Sequence, residues 1–336
     1  MNNINSLVLK TLIPVFIGVA VVVWLLSREF SIEQWRAIPW NPTTFISIAL
    51  AIACVAGREF GMMWRFRVLT DRKLSWRKSL KVTMQCEFTS AITPTTAGGS
   101  TLSMIYLSRQ GIPLGHATII TMILLMFDEL FIVIACPVIF LLLPINNIFG
   151  FDPGNFSTGV RLAFWIVYGG VCAATLILFL GALVYPRRIA RLISRIFRFR
   201  PLRRWETQAN ETGSTMINAG RDLRRRSAAW WLEGLTATAF SWTCRYLVVN
   251  ALFWGFAAAA PQAIVFARQF VVWTLLTISP TPGGSGLSEW LFTSYYGDLI
   301  ADASMILVIA ILWRLLTYYV YLAIGVFRLP SWIRKK

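Results

Sequence analysis

Six stretches of this 336-residue chain, at about 11–27, 43–64, 117–143, 161–184, 228–257 and 303–327, are apolar for long enough to cross a lipid bilayer. A crossing takes roughly 20 residues of helix. No other feature restricts the fold so strongly, and composition agrees with it. Hydrophobic residues make up 57% of the chain and charged ones 14%, against about 45–50% and 25% in soluble domains. An ordinary water-soluble domain is excluded. The run at 11–27 has no small-residue cleavage site behind it and reads as a retained first span.

Two further stretches, at about 79–108 and 268–297, are apolar enough to enter the bilayer but are broken near their middles. The first contains Thr93-Pro-Thr-Thr-Ala-Gly-Gly-Ser-Thr-Leu-Ser103, the second Ser279-Pro-Thr-Pro-Gly-Gly-Ser-Gly-Leu-Ser-Glu289. Proline cannot continue a helix and biases its predecessor away from helical geometry. A first half-helix should therefore stop near Thr93 and near Ser279. Gly-Gly-Ser permits a reversal, and Ser100 or Ser285 is placed to cap a second half-helix. Each stretch is expected to be a re-entrant hairpin, which membranes tolerate only inside protein or beside a wet cavity.

Charge supplies a topology. Of 32 basic residues, 26 are Arg, and the formal net charge is +17. With a cytoplasmic N-terminus and hairpins that return to their own side, 25 basic residues fall in cytoplasmic segments. Four (Arg28, Arg36, Arg161, Arg268) fall outside, and Arg58, Arg245 and Arg314 lie within spans. That asymmetry fits the positive-inside rule. Two full crossings at either hairpin would score the same.

The two broken motifs share seven residues in ten at an offset of 186, or 185 after a one-residue gap. The same offset places Glu59 on Arg245 and Asp128 within one residue of Arg314. In the topology above the two units enter from opposite sides, as in an inverted repeat with its site at the midplane. The expected fold is an all-α polytopic membrane protein, with about six full spans and two Pro/Gly-broken hairpins. It divides into 1–42 (first span and external loop), 43–143 (repeat 1), 144–227 (connecting span and basic interfacial helix), 228–327 (repeat 2) and 328–336 (basic cytoplasmic tail).

A charge at the bilayer centre costs roughly 2.5–3.5 kcal/mol and is by default a functional candidate. Asp128, Glu129, Arg245 and Arg314 sit mid-span, with Glu87 and Glu289 in the hairpins. They can act on a ligand, or pin helices together through pairs such as Asp128–Arg314 or Glu289–Arg245. The half-helix ends at Gly98-Gly99-Ser100 and Gly283-Gly284-Ser285 are expected to aim unpaired N–H groups at an anion such as phosphate. Arg58, Glu59, Glu87 and Arg268 form a secondary set. Between the fourth and fifth spans, Ile189, Leu192, Ile193, Ile196 and Phe197 recur at helical spacing between arginines. This predicts an amphipathic helix resting on anionic headgroups, or else a solvated linker.

Other chemistries lack their residues. There is one histidine, His116, and the five cysteines are scattered without a CxxC, so neither a metal site nor a disulfide framework is expected. Nucleotide-binding, metalloprotease and serine-hydrolase motifs are missing. The arginines carry no aromatic interleaving of a nucleic-acid module. No cofactor and no catalytic residue is assigned.

The 281–289 run, its partner at 93–103 and the span layout resemble the flippase-like membrane domain of bacterial lysylphosphatidylglycerol synthases. The likeness covers nearly the whole chain. It implies a protein of a prokaryotic cytoplasmic membrane, with both termini cytoplasmic, that moves lipid headgroups between leaflets. In the fused members an aminoacyl-transferase domain follows. This sequence ends at Lys336, so lipid aminoacylation is not expected. The resulting reading is a lipid translocase for a phosphate-bearing headgroup, an aminoacylated phospholipid or a related anionic lipid. Its alternatives are a secondary transporter of a small anion and a membrane subunit, catalytic or not, of a lipid or cell-envelope pathway. Anionic membrane lipids are the expected partners. A second copy of the chain or an envelope-pathway protein stays open.

Overall fold

The computed structural model describes residues 38, 40–93, 98–150, 155–197, 206–300 and 303–333. The first expected span, at 11–27, lies outside them, as do residues 94–97 of the first hairpin tip. All regular structure among the described residues is helical.

Helix α1 (Pro42–Leu69) starts where Asn41 accepts the Thr44 N–H at 2.9 Å and proline occupies the first turn. Helix α2 (Trp76–Ile92), capped by Ser75, stops at Thr93 before the proline, and α3 (Gly98–Ser108) folds back against it. Helix α4 (Leu114–Leu142) completes the first unit, and α5 (Ile145–Phe149) follows it. Helix α6 (Asn155–Phe179) ends in a π turn at Leu180–Val184. Next come α7 (Pro186–Phe197) and α8 (Glu206–Arg224).

The second unit has the same order of elements, a long helix, two shorter helices across a turn and a closing long helix. Helix α9 (Ala228–Phe256) leads into α10 (Gln262–Leu276), a short turn and α11 (Leu287–Tyr296). Helix α12 (Ala303–Arg314) continues through a π turn at Leu315–Tyr319 into α13 (Val320–Ile333).

Four described helices are long and apolar enough to cross a membrane: Pro42–Leu69, Leu114–Leu142, Thr158–Val184 and Met305–Arg328. The stretch expected at 228–257 does form a 29-residue helix. Glu233, Arg245, Asn250 and several hydroxyls keep it out of that apolar set. Its surroundings explain this, because α9 packs against α1, α4, α10 and α12 instead of needing an apolar face all round.

Helices α1 and α9 run antiparallel. Ser47 Oγ donates to Ala251 O at 2.8 Å, Ser241 Oγ to Arg58 O at 2.9 Å, and Trp64 Nε1 to Glu233 at 3.1 Å. Shifting Ser47 by the 186-residue offset gives Glu233, and shifting Ala251 back gives Arg65, the neighbour of Trp64. The contact thus maps onto itself, as an inverted pair requires. The hairpin tips meet where these units join: Gly283 N–H reaches Thr93 O at 3.3 Å, and the Tyr318 hydroxyl reaches Ala91 O at 3.2 Å.

Two expected caps are corrected. Ser100 lies inside α3, which already begins at Gly98. Helix α11 is capped at Gly286, whose φ of 84° suits glycine, and the Glu289 carboxylate accepts its N–H at 2.5 Å. Ser285 is thereby released for another partner. The expected single basic helix is also part of a pair. Helix α7 does form, with Arg187, Arg188, Arg191, Leu192 and Arg195 exposed, but α8 packs on it and on α4.

The first hairpin depends on close approach. A Cβ on Gly99 would lie 1.8 Å from the Cys86 carbonyl oxygen, backbone against backbone. Gly99→Ala should force α2 and α3 apart and cost about 1–3 kcal/mol, typical of overpacking. Gly159 has nothing near its Cβ position. A thermal melt of the solubilised protein should therefore show a lower Tm for Gly99→Ala and no loss for Gly159→Ala.

Candidate functional site

The charged residues of both units converge on two adjoining cavities of about 60 Å³ each. The first is lined among others by Arg65, Glu87, Ser100, Asp128, Glu129 and Arg245. The second is lined by Arg245, Gly283, Arg314, Thr317, Tyr318 and Tyr321, among others. Glu87, Ser90, Arg245 and Trp273 belong to both. Helices α1, α2, α4, α9, α10 and the α12–α13 segment all contribute, so the site sits where the two units meet.

Most of the charges there are already paired. Arg58 on α1 bonds Glu59 Oε1 at 2.9 Å and the Tyr321 hydroxyl at 2.7 Å, and its other terminal nitrogen meets Glu87 on α2. Tyr321 also donates to Glu59 at 2.6 Å. Arg65 pairs with Asp128, which accepts the Trp242 Nε1–H at 2.6 Å as well. Arg314 serves the second hairpin: its terminal nitrogens donate to Gly283 O at 3.0 Å and Ser285 Oγ at 2.9 Å, and its Nε forms an ion pair with the Glu289 carboxylate at 2.5 Å. It also lies over the Tyr318 ring at 4.0 Å. The π turn that follows Arg314 carries Tyr318, so this local widening of the helix places both groups on one wall.

Arg245 is different. Its guanidinium lies 4.9 Å from the Trp242 ring centre and 4.4 Å from that of Trp273, in the corner formed by two rings that meet edge to face. Its nearest acid is Glu87 at 3.8 Å, it makes no hydrogen bond among the described residues, and it keeps 17% exposure. Stacking of this kind stabilises an arginine in a low-dielectric site while leaving its N–H fork available. Glu129 is the acidic counterpart. It lines the first cavity, its buried Oε2 has no hydrogen-bond partner, and no ion pair reaches it among the described residues.

The structure revises several expectations. Asp128 pairs with Arg65 rather than Arg314, and Glu289 with Arg314 rather than Arg245. Arg65, counted with the cytoplasmic basic residues, is a buried residue of α1, because that helix runs on to Leu69. Arg268, counted as external, is buried too. It lies away from the cavities and binds Asp298, Asn147 O and Tyr295 O.

The hairpin N–H groups expected to face an anion have intrachain acceptors. Gly99 donates to Ser90 Oγ at 3.0 Å, Gly283 to Thr93, Gly284 to Thr281, and Ser285 to Pro282. The reason is that the Gly283 turn packs on the end of α2 and on the π turn at Leu315–Tyr319: a Cβ on Gly283 would lie 2.0 Å from the Tyr318 ring. Gly98 opens α3, and Gly284 is buried behind the tip.

Sequence reasoning missed Arg65, Trp242, Trp273 and Tyr321. Arg65 could have been found, since it follows Arg58 by seven residues and so shares its helical face. The aromatics carry no such signal in an apolar stretch. Among the described residues no group of three His, Cys, Asp or Glu side chains could hold a metal ion.

The chain is 25% identical over 340 residues to a UPF0104 membrane protein of Archaeoglobus fulgidus, covering 94% of each sequence. No solved structure matches it. A family model described as the lysylphosphatidylglycerol synthase TM region matches residues 11–325. With that match over nearly its whole length, this multi-pass, all-helical membrane protein belongs to the lysylphosphatidylglycerol synthase TM region family.

Proposed function

We propose that the protein is a lipid translocase of a prokaryotic cytoplasmic membrane, with its basic segments on the cytoplasmic side. The phosphate of an anionic lipid headgroup enters the space between the two units and is held by Arg245, while the acyl tails stay in the bilayer. The observation that carries this reading is the charge pairing: Arg245 is the cavity arginine with no hydrogen bond among the described residues. Rocking of one unit against the other, with the hairpin tips at the centre, alternates access. Arginines of α7 hold the cytoplasmic face on anionic lipid. No catalytic chemistry is assigned to the site.

The small cavity volume favours a second reading, a transporter of a small soluble anion. One experiment separates the two. Purified protein is reconstituted into vesicles with fluorescent phosphatidylglycerol, and the dithionite-protected fraction is followed. Parallel vesicles report uptake of radiolabelled inorganic phosphate. The lipid reading expects loss of the protected fraction faster than in protein-free vesicles, with phosphate uptake at background. Phosphate uptake without lipid exchange would replace it with the second reading.

A further inference from the structure

Among the described residues, every carboxylate around the cavities except one has a cation. Asp128 has Arg65, Glu59 and Glu87 have Arg58, and Glu289 has Arg314. Glu129 has none among the described residues, and its buried Oε2 has no hydrogen-bond partner there. With no such partner, Glu129 can take up or give up a proton without breaking an ion pair or a hydrogen bond to Oε2. The position is otherwise wet and charged: Glu129 lines the cavity that Arg245 enters. Intramembrane acids so placed in transporters are commonly proton relays.

The groups that face it are few. On α4 its neighbour Asp128 is held by Arg65 of α1. Helix α9 brings Arg245 and the buried, unbonded Tyr246 phenol, and α2 brings Glu87. Helix α10 brings Trp273 and Thr277, and α3 brings Ser100, none of them charged. On α6, the Tyr168 hydroxyl is committed to Val133 O and Cys172 stands nearby. Helix α8 meets α4 through Ala219 and Leu223. Among the described residues, Arg245 is the arginine of that cavity without a hydrogen bond, and a bound phosphate would occupy it.

We propose that Glu129 is the proton-binding site of the transport cycle. It takes one proton from water on one side of the membrane when Arg245 holds an anion, and releases it to the other side as the anion leaves. This rests on the translocase reading above. The proton that binds Oε2 is the one that is released, so the carboxylate is regenerated in each cycle. Both residues line one cavity, so a bound phosphate brings negative charge beside Glu129 and a proton there offsets it; anion and proton binding thus reinforce each other.

The test uses the full-length protein in vesicles containing fluorescent phosphatidylglycerol and a trapped pH-sensitive dye, with a pH difference of one unit across the membrane. One proton per headgroup should give a leaflet ratio of about tenfold at equilibrium, while the dye reports matching proton movement. Because the ratio is an equilibrium quantity, it is insensitive to rate. Glu129→Gln should abolish both the ratio and the dye response, and should melt with the wild type because no partner is lost. Glu129→Asp, which keeps the carboxyl, should restore the ratio. Lipid exchange by the wild type with equal leaflets, or a tenfold ratio in Glu129→Gln, would overturn the proton role. Proton movement without lipid exchange would overturn the lipid reading and leave Glu129 as the proton site. Neither movement would overturn both.

Discussion

Replacing Arg245 with glutamine is expected to abolish most lipid translocation while leaving the Tm within a degree or two of the wild type. The reason is what Arg245 does not do. It holds no backbone carbonyl, closes no hairpin and stands 3.8 Å from its nearest acid, so its removal strands no tightly bonded partner. Loss of one side of a desolvated, hydrogen-bonded charge pair costs about 2–5 kcal/mol. For a phosphate carried through the cavity this means a fall of roughly 30-fold or more at subsaturating lipid. Arg245→Lys keeps the charge but loses the planar fork held against Trp242 and Trp273, and should recover only part of the rate. The vesicle assay reads both variants, and melting curves provide the control. An Arg245→Gln protein that melts normally and still translocates at the wild-type rate would remove Arg245 from the site.

The sequence disclosed the features governed by local chemistry. The half-helix ends near Thr93 and Ser279 follow from the prolines, and the helix over Pro186–Phe197 follows from the spacing of its apolar residues. The pairing of the two broken motifs was visible because both copies kept their Gly-Gly-Ser. That the charges at depth gather in one place was also legible, since a buried charge needs partners and the chain has few elsewhere. Who pairs with whom was not. The choice of Arg65 over Arg314 for Asp128 depends on how α1, α4 and α9 are rotated about their axes, and a lone sequence does not encode that in any local pattern. The same holds for the hairpin N–H groups. Gly99, Gly284 and Ser285 find acceptors only once their own hairpin has folded, and Gly283 finds Thr93 only where the second hairpin meets the end of α2. The aromatic corner around Arg245 was invisible for a related reason: Trp242 and Trp273 look like any core residues until the cation against both is seen.

The largest effect on stability is expected at Arg58, which is 2% exposed and joins α1, α2 and α13 through Glu59, Glu87 and Tyr321. Arg58→Met fills a similar space but leaves two neighbouring carboxylates buried without their cation. Breaking a buried pair in this way costs about 3–5 kcal/mol. At roughly 2–4 °C per kcal/mol for large domains, the Tm should fall by about 10 °C. The fall should come from the stranded charge more than from lost packing, so Arg58→Met combined with Glu87→Gln should melt higher than Arg58→Met alone. Arg58→Lys should not rescue, because one ammonium cannot reach Glu59 and Glu87 from the two ends of a fork. A double variant no more stable than the single one would mean that Arg58 acts through its contact with the Tyr321 ring, 5.1 Å away, and not through its charge. The same substitution also bears on transport. Glu87 is shared between Arg58 and Arg245, and without Arg58 it becomes a full counter-ion for Arg245. Arg58→Met protein that survives purification should therefore translocate slowly for a reason separate from its lower Tm, and Glu87→Gln should restore its rate as well as its melting temperature.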